Sequence, residues 1–318
     1  MTWPNLIASE LETRCRTYLN EATAKFYTQV EIWRWLSLGA KDISEKASCV
    51  RRILDAQTGS GVRTVPVTAY KVLHVEYVPA TGNPRMLRKI NPMIVGHFPR
   101  KDTTPHYWYE FASSVGVDPL PAAVHDLRVY VADRAKMVII SSGEPTEGAG
   151  ATQWTAEAGW VDGAHTSTES STVFNTALTA STNYTVEFKI DGVGTGGTIT
   201  PHLGTADGYP VTRAGYHAQT ITSSAGSPTL KFTATNDLTL SDISLYKLAD
   251  YAGNSDQIDL PSEWHPLQAL YSTWQGLLKN KEYGAAGLLE TIHGNEIAYL
   301  KQAIVDVIPD GRDVYNDK

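Results

Sequence analysis

Two hydrophobic periods alternate along this chain. Ile32, Trp35, Leu36, Gly39, Ile43, Ala47, Val50 and Leu54 recur at steps of three and four, one stripe of an amphipathic helix over 28–54. Arg34, Lys41, Asp42, Glu45 and Lys46 take its far side. Thr28 and Glu31 frame its start as a capping box, Tyr27 against Ile32 forms a staple, and Thr58-Gly59-Ser60-Gly61 ends it. A weaker stripe from Leu6 to Asn20 predicts an earlier helix. From Val62 to Ile140 the period falls to two. Short strands are expected at 65–67, 70–78, 107–111 and 127–131, with turns at Asn83-Pro84, Gly116 and Pro119-Leu120-Pro121. They form a small antiparallel meander packed on the helix.

Helical spacing returns after Leu260. Ser262 is placed to cap a helix, with Pro266 in its first turn, and Trp264, Leu267, Tyr271, Trp274 and Leu278 share its stripe. After Lys279–Gly284 a second helix presents Leu288, Leu289, Ile292, Leu300, Ala303, Ile304 and Val307, and Pro309-Asp310-Gly311 stops it. These two helices need a partner for their apolar faces, and the helix beginning at 28 supplies one.

Between the two helical regions the composition changes. Residues 146–247 hold 21 threonines, four basic residues (Lys189, Arg213, Lys231, Lys247) and nine acidic ones, a net charge of −5. Strand-like runs alternate there with Gly, Asn, Asp and Ser turns; in one, Tyr184, Val186, Phe188 and Ile190 share a face. Turn-forming residues at 141–145 and 252–255 bound the segment. The expected fold class is α+β and multidomain: a helical bundle with a small β meander, interrupted by an all-β sandwich of jelly-roll or immunoglobulin-like type. The division is 1–143 and 251–308 for the host, 144–250 for the insert and 309–318 for a polar tail. Insertion at an exposed loop is mild, because closure entropy grows slowly with loop length.

Charge and chemistry narrow the function. The chain of 318 residues has 27 basic and 34 acidic side chains, net −7, which disfavours a protein that grips nucleic acid by neutralising phosphates. Two cysteines, Cys15 and Cys49, support neither a disulfide framework nor a structural zinc site. No signal-peptide pattern and no apolar run of membrane-spanning length is present, so a soluble chain from a reducing compartment is expected. No phosphate-loop, zinc-protease or nucleophile-elbow motif occurs, no pair of carboxylates sits in an acid/base context, and no catalytic residue, cofactor or metal is assigned.

The glycines of 192–197 are read as a hairpin turn, and Asp237 and Asp242 as turn or cap residues rather than calcium ligands. His106, His265 and His293 are expected to hydrogen-bond locally. Trp154, Trp160, Tyr209 and Tyr216 are glycan-contact candidates, with core or rim packing as the competing reading. Trp33 and Trp35, two apart on a helix, cannot both face the core, so one is a candidate for a subunit contact.

The segments Tyr27–Leu36, Pro105–Tyr109 with Pro119-Leu120-Pro121, and Leu260–His265 with two closing helices resemble tailed-phage head–tail adaptor (connector) proteins, over about 20–140 and 255–307. The insert resembles the carbohydrate-binding-module-like sandwiches that decorate phage structural proteins. The resemblance implies a homo-oligomeric ring, typically twelve-fold, beneath the portal protein in the virion neck. Tail or nozzle proteins would lie below, DNA would pass through without sequence-specific binding, and assembly would occur in the host cytoplasm without a membrane. It also implies a C-terminal segment docking on the portal, here Pro309–Lys318 with Val314 and Tyr315. A glycan-binding or capsid/tail decoration protein acting through the sandwich is the alternative.

Overall fold

The computed structural model describes residues 6–21, 26–80, 83–96, 104–111, 114–140, 160–161, 164–167, 171–174, 178–193, 197–226, 229–235 and 238–307. They form two compact units of an α+β, multidomain chain. One unit comprises Met1–Arg51, Ala132–Val138 and Leu248–Lys318; the other comprises Arg52–Val131 and Ile139–Lys247. The composition-based boundaries at 143/144 and 250/251 differ from this division, which groups strands 52–131 with the threonine-rich segment.

The helical unit holds α1 (Ala8–Tyr18), α2 (Gln29–Ala47), α3 (His265–Lys279) and α4 (Tyr283–Val307). Its single core takes Leu11, Ile32, Leu36, Ala40 and Ile43 from before the threonine-rich segment and Leu260, Trp264, Leu267 and Ile297 from after it. Polar ties join the same halves. His265 Nδ1 accepts from the Leu6 N–H at 2.9 Å while Nε2 donates to the Leu260 carbonyl at 2.8 Å. The Ser37 hydroxyl accepts from the Tyr251 N–H at 3.0 Å. Helices approach closely where glycine allows it. A Cβ on Gly39 of α2 would lie 3.0 Å from Tyr271 Cβ of α3, and one on Gly276 of α3 2.9 Å from Leu19.

The second unit opens with β1 (Arg51–Thr58), β2 (Thr64–Pro66), β3 (Lys71–Val78), β4 (Arg85–Met86), β5 (Arg88–Lys89), β6 (Tyr107–Phe111), β7 (Ser114–Asp118) and β8 (His125–Ala132). They make two four-stranded sheets, β1-β8-β3-β4 and β2-β7-β6-β5. Leu54, Val75, Trp108, Val117, Leu127 and Val129 fill the core between them.

Ten further strands follow: β9 (Met137–Ile140), β10 (Trp160–Val161), β11 (Ala164–Ser167), β12 (Ser171–Phe174), β13 (Asn183–Val193), β14 (Thr198–Leu203), β15 (Ala206–Asp207), β16 (Gly215–Thr222), β17 (Leu230–Thr235) and β18 (Leu238–Lys247). Of these, β11 pairs with β18, β12 with β17, β13 with β16 and β14 with β15. One long antiparallel ribbon is thus folded over on itself. Its two sheets run β11-β18-β13-β16, extended by β10 beside β11 and β9 against β18, and β12-β17-β14-β15, which gives a jelly roll rather than an immunoglobulin-like sandwich. Phe188, Ile190, Leu203, Leu230, Phe232 and Leu245 are among its buried core residues.

Several sequence expectations are corrected. The helix expected over 28–54 ends at Ala47, where Ser48 turns left-handed at φ 53°; Arg51–Thr58 is β1, burying alternate residues. The expected capping box at Thr28 and Glu31 is present. Gly116 is not a turn but a strand position in β7, where a Cβ would lie 2.1 Å from the Tyr109 ring. Ser262 does not cap α3: it opens a 3-10 turn and its hydroxyl reaches Glu263. The glycine run 192–197 is no hairpin, since β13 and β14 lie in different sheets; residues 194–196 are outside the described set. His265 bonds across the helical unit to Leu6, not only locally.

Candidate functional site

A cleft in the β unit is built from three elements. Asp55 and Gln57 project from the outward-facing side of β1, Asp126 and Arg128 from β8, and 209–213 with His217 close it from the segment entering β16. About 390 Å³ of space, part of it open solvent, lies between them. His217 is 5% exposed. Its Nδ1 lies 2.8 Å from Asp55 Oδ2 and its Nε2 2.9 Å from the Arg213 carbonyl. Gln57 Nε2 donates to Asp126 Oδ1 at 2.9 Å, and Arg213 donates to the Pro79 carbonyl. Nearby, Arg52 pairs with Glu187 at 2.6 Å and lies 4.7 Å over the Tyr246 ring.

These contacts satisfy buried polar groups between the jelly roll and the β1–β8 sheets. Apart from Thr212 the cleft holds no hydroxyl of the Ser/Thr type and no thiol. Among the described residues no group of three or more His, Cys, Asp or Glu is placed to hold a metal ion.

Of the glycan-contact candidates Tyr209 and Tyr216, Tyr209 alone lines the cleft. Its peptide N–H donates to Gln219 Oε1 at 2.6 Å, and burial pushes its phenol up. Tyr216 is 69% exposed on β16 beneath Lys189, with its hydroxyl 3.3 Å from Asp242. Trp160 sits on β10 opposite His165. Trp154 and Asp237 lie outside the described residues. The subunit-contact candidates on α2 both touch the helical core. Trp33 is 8% exposed and donates its indole N–H to Glu12 at 3.0 Å, while Trp35 is partly buried and meets Tyr27 edge-to-face. Pro309, Val314 and Tyr315 lie outside the described residues.

The most site-like surface of the helical unit is one that hydrophobic spacing does not single out, the outer side of α4. Ala286, His293 and Ile297 face the core. With 3.6 residues per turn, Gly287, Gly294 and Ala298 fall on one outward flank. Leu288, Ile292 and Tyr299 fall on a second flank about 120° away. Leu288 is 63% and Tyr299 71% exposed. Thr291, Asn295 and Gln302 occupy the strip between, so over residues 284–302 about half the circumference carries no charge. Glu290 and Lys301 border the glycine flank and Glu296 the large flank.

Three glycines of this helix, Gly284, Gly287 and Gly294, leave open space outside the backbone: a Cβ at any of them would meet nothing within 4 Å. Each costs a helix interior about 1 kcal/mol relative to alanine. In α2 and α3 packing inside the chain accounts for Gly39 and Gly276; among the described residues nothing does so in α4.

No family model and no curated protein matches the sequence. Among solved structures, the uncharacterised Listeria monocytogenes protein lmo2446, in complex with glucose, magnesium and calcium, is 11% identical over 63% of this chain and 20% of its own, with a TM-score of 0.18. A cycloalternan-forming enzyme from Listeria monocytogenes, in complex with a pentasaccharide substrate, is 12% identical over 63% of this chain and 19% of its own, also at 0.18. The chain spans about a fifth of the length of either. Among the described residues no helix is long and apolar enough to cross a membrane.

Proposed function

We propose that this chain is a non-enzymatic structural virion protein, a head-to-tail adaptor that assembles as a ring under the portal and continues the DNA channel toward the tail. The observation that carries the reading is the exposed outer face of α4, free of charge over residues 284–302, on a helical unit whose core is complete without it. A surface of that kind serves contact with another protein rather than chemistry. The net charge of −7 agrees with a channel through which DNA slides without adhering. The test is to mix the purified chain with tailless heads that do or do not carry a portal. Binding confined to portal-bearing heads, seen as added density at one vertex, is expected; no binding to either would overturn the reading.

The exposed Tyr216 beneath Lys189 favours, as a second reading, a jelly roll that binds glycans. Binding of the full chain to a glycan array, lost in Tyr216→Ala, would support it.

A further inference from the structure

We propose that His217 is held as a doubly protonated ring and acts as a pH-dependent latch between the jelly roll and the β1–β8 sheets, closed while the ring is charged and released when it loses a proton. The latch concerns the β unit alone and goes beyond the adaptor reading.

Donors and acceptors decide the charge of the ring. His217 lies on β16, its ring stacked on Phe188 with centroids 5.6 Å apart, and only 5% of the residue reaches solvent. Its Nδ1 is 2.8 Å from Asp55 Oδ2 and its Nε2 2.9 Å from the Arg213 carbonyl. Carboxylate and carbonyl oxygens only accept, while a neutral imidazole has one N–H and one bare nitrogen. A neutral ring would therefore set a lone pair against one of the two oxygens, in a place that water hardly reaches. Imidazole is a stronger base than an aspartate carboxylate by about 2.5 pH units, so the shared proton sits on the ring. An imidazolium then donates both bonds, one of them to a charged acceptor.

The charged and titratable groups that face the ring come from each element packed around it. Asp55 belongs to β1, Asp126 and Arg128 to β8, and Tyr209 and Arg213 to the segment entering β16. Asp126 accepts from Gln57, and Arg213 donates to the Pro79 carbonyl. Burial pushes the Tyr209 phenol up, away from the range in which imidazole titrates. On β13, Glu187 and Lys189 flank Phe188, the cross-strand partner of His217, and alternate to the other face of the sheet. Loss of the ring proton as pH rises removes a donor between β1 and the segment entering β16, and the two part at the cleft. The latch is complete while the ring is charged and lost above its ionisation.

Hydrogen exchange of the full chain, read over residues 209–217 and corrected for the intrinsic rate, tests this at about pH 5.5 and about pH 8.5, either side of ordinary imidazole ionisation. Wild-type protection is expected to fall about tenfold or more between them. Asp55→Asn should keep its protection at both, since an amide can donate to Nδ1 of a neutral ring while the Nε2 hydrogen still meets the carbonyl. His217→Gln cannot titrate and should show no fall either. In the chain labelled with nitrogen-15 histidine, the His217 signal, identified by its absence from His217→Gln, should show hydrogens on both ring nitrogens at the lower pH.

Equal wild-type protection at the two pH values overturns the proposal. So does a bare ring nitrogen at the lower pH, or a fall of wild-type size in either variant. Should Asp55→Asn change the circular dichroism of the chain, His217→Gln replaces it under the same criteria.

Discussion

His265 and His293 are both buried in the helical core, and their hydrogen bonding differs. His265 uses both ring nitrogens, accepting from Leu6 and donating to Leu260. His293 packs against the rings of Tyr271 and Trp274, with centroids at 5.5 and 6.4 Å. Its Nδ1 is 4.0 Å from Asp42, and its Nε2 has no hydrogen-bond partner among the described residues. Burial, which disfavours the charged ring, pushes both below the ordinary value of 6.5; Asp42 opposes this at His293 and Lys46 reinforces it.

A depressed histidine binds fewer protons folded than unfolded, so its stabilisation is complete above the unfolded value and lost as pH falls below it. The resistance of the helical unit to urea is therefore expected to fall from about pH 7.5 to about pH 5. His293→Phe should flatten part of that slope and cost little stability at neutral pH, since it removes a buried nitrogen without a partner. An unchanged slope in that variant would refute the assignment. Glu31 acts at a lower pH. Hydrogen bonds from Lys279 and from the Thr28 backbone lower its carboxyl to about 2, so its contribution is complete above its ordinary value of 4.5 and is lost progressively as pH falls from there toward 2. The thiols are quiet at neutral pH: burial raises Cys15 and takes Cys49 up to about 12.

At the scale of elements, the capping box at Thr28 was legible because its signal is local. The end of α2 was not. Val50 and Leu54 continue a helical step of four, but four is also twice the strand period, so the same residues fit β1. The burial of Val50 and Leu54 is common to both phases, and it is the left-handed Ser48 that separates them. Gly116 was misplaced because glycine marks turns by default, whereas here it makes room for the Tyr109 ring. On α4 the small flank left no signal because hydrophobic spacing weighs large residues and ignores gaps. Because a Cβ at either position would meet nothing within 4 Å, Gly287→Ala and Gly294→Ala should each stabilise the subunit by about 1 kcal/mol. Thermal unfolding followed by circular dichroism would measure this, and destabilisation would mean that the helix needs these glycines for itself.

At the scale of the molecule, Val138 and Leu248 are the two ends that the helical unit presents to the threonine-rich segment. Replacing 139–247 by a Gly-Ser bridge should therefore leave the helical core folded, with its helix signal and cooperative melting retained by circular dichroism. Strands 52–131 should melt separately and earlier, because Arg52 and Asp55 lose Glu187 and His217. Loss of the helix signal would show that the helical core does not stand by itself.

What the amino-acid sequence determined alone was the helical type of α1 to α4, the start of α2, the α+β class and the approximate extent of the threonine-rich segment. Each is set by periodicity, capping or composition within a few neighbouring residues. Only the tertiary structure decided the jelly-roll pairing, the His217–Asp55 contact across 162 positions, the grouping of β1–β8 with the jelly roll, and which faces of α4 remain uncovered. These depend on which distant surfaces meet, and no local spacing records that.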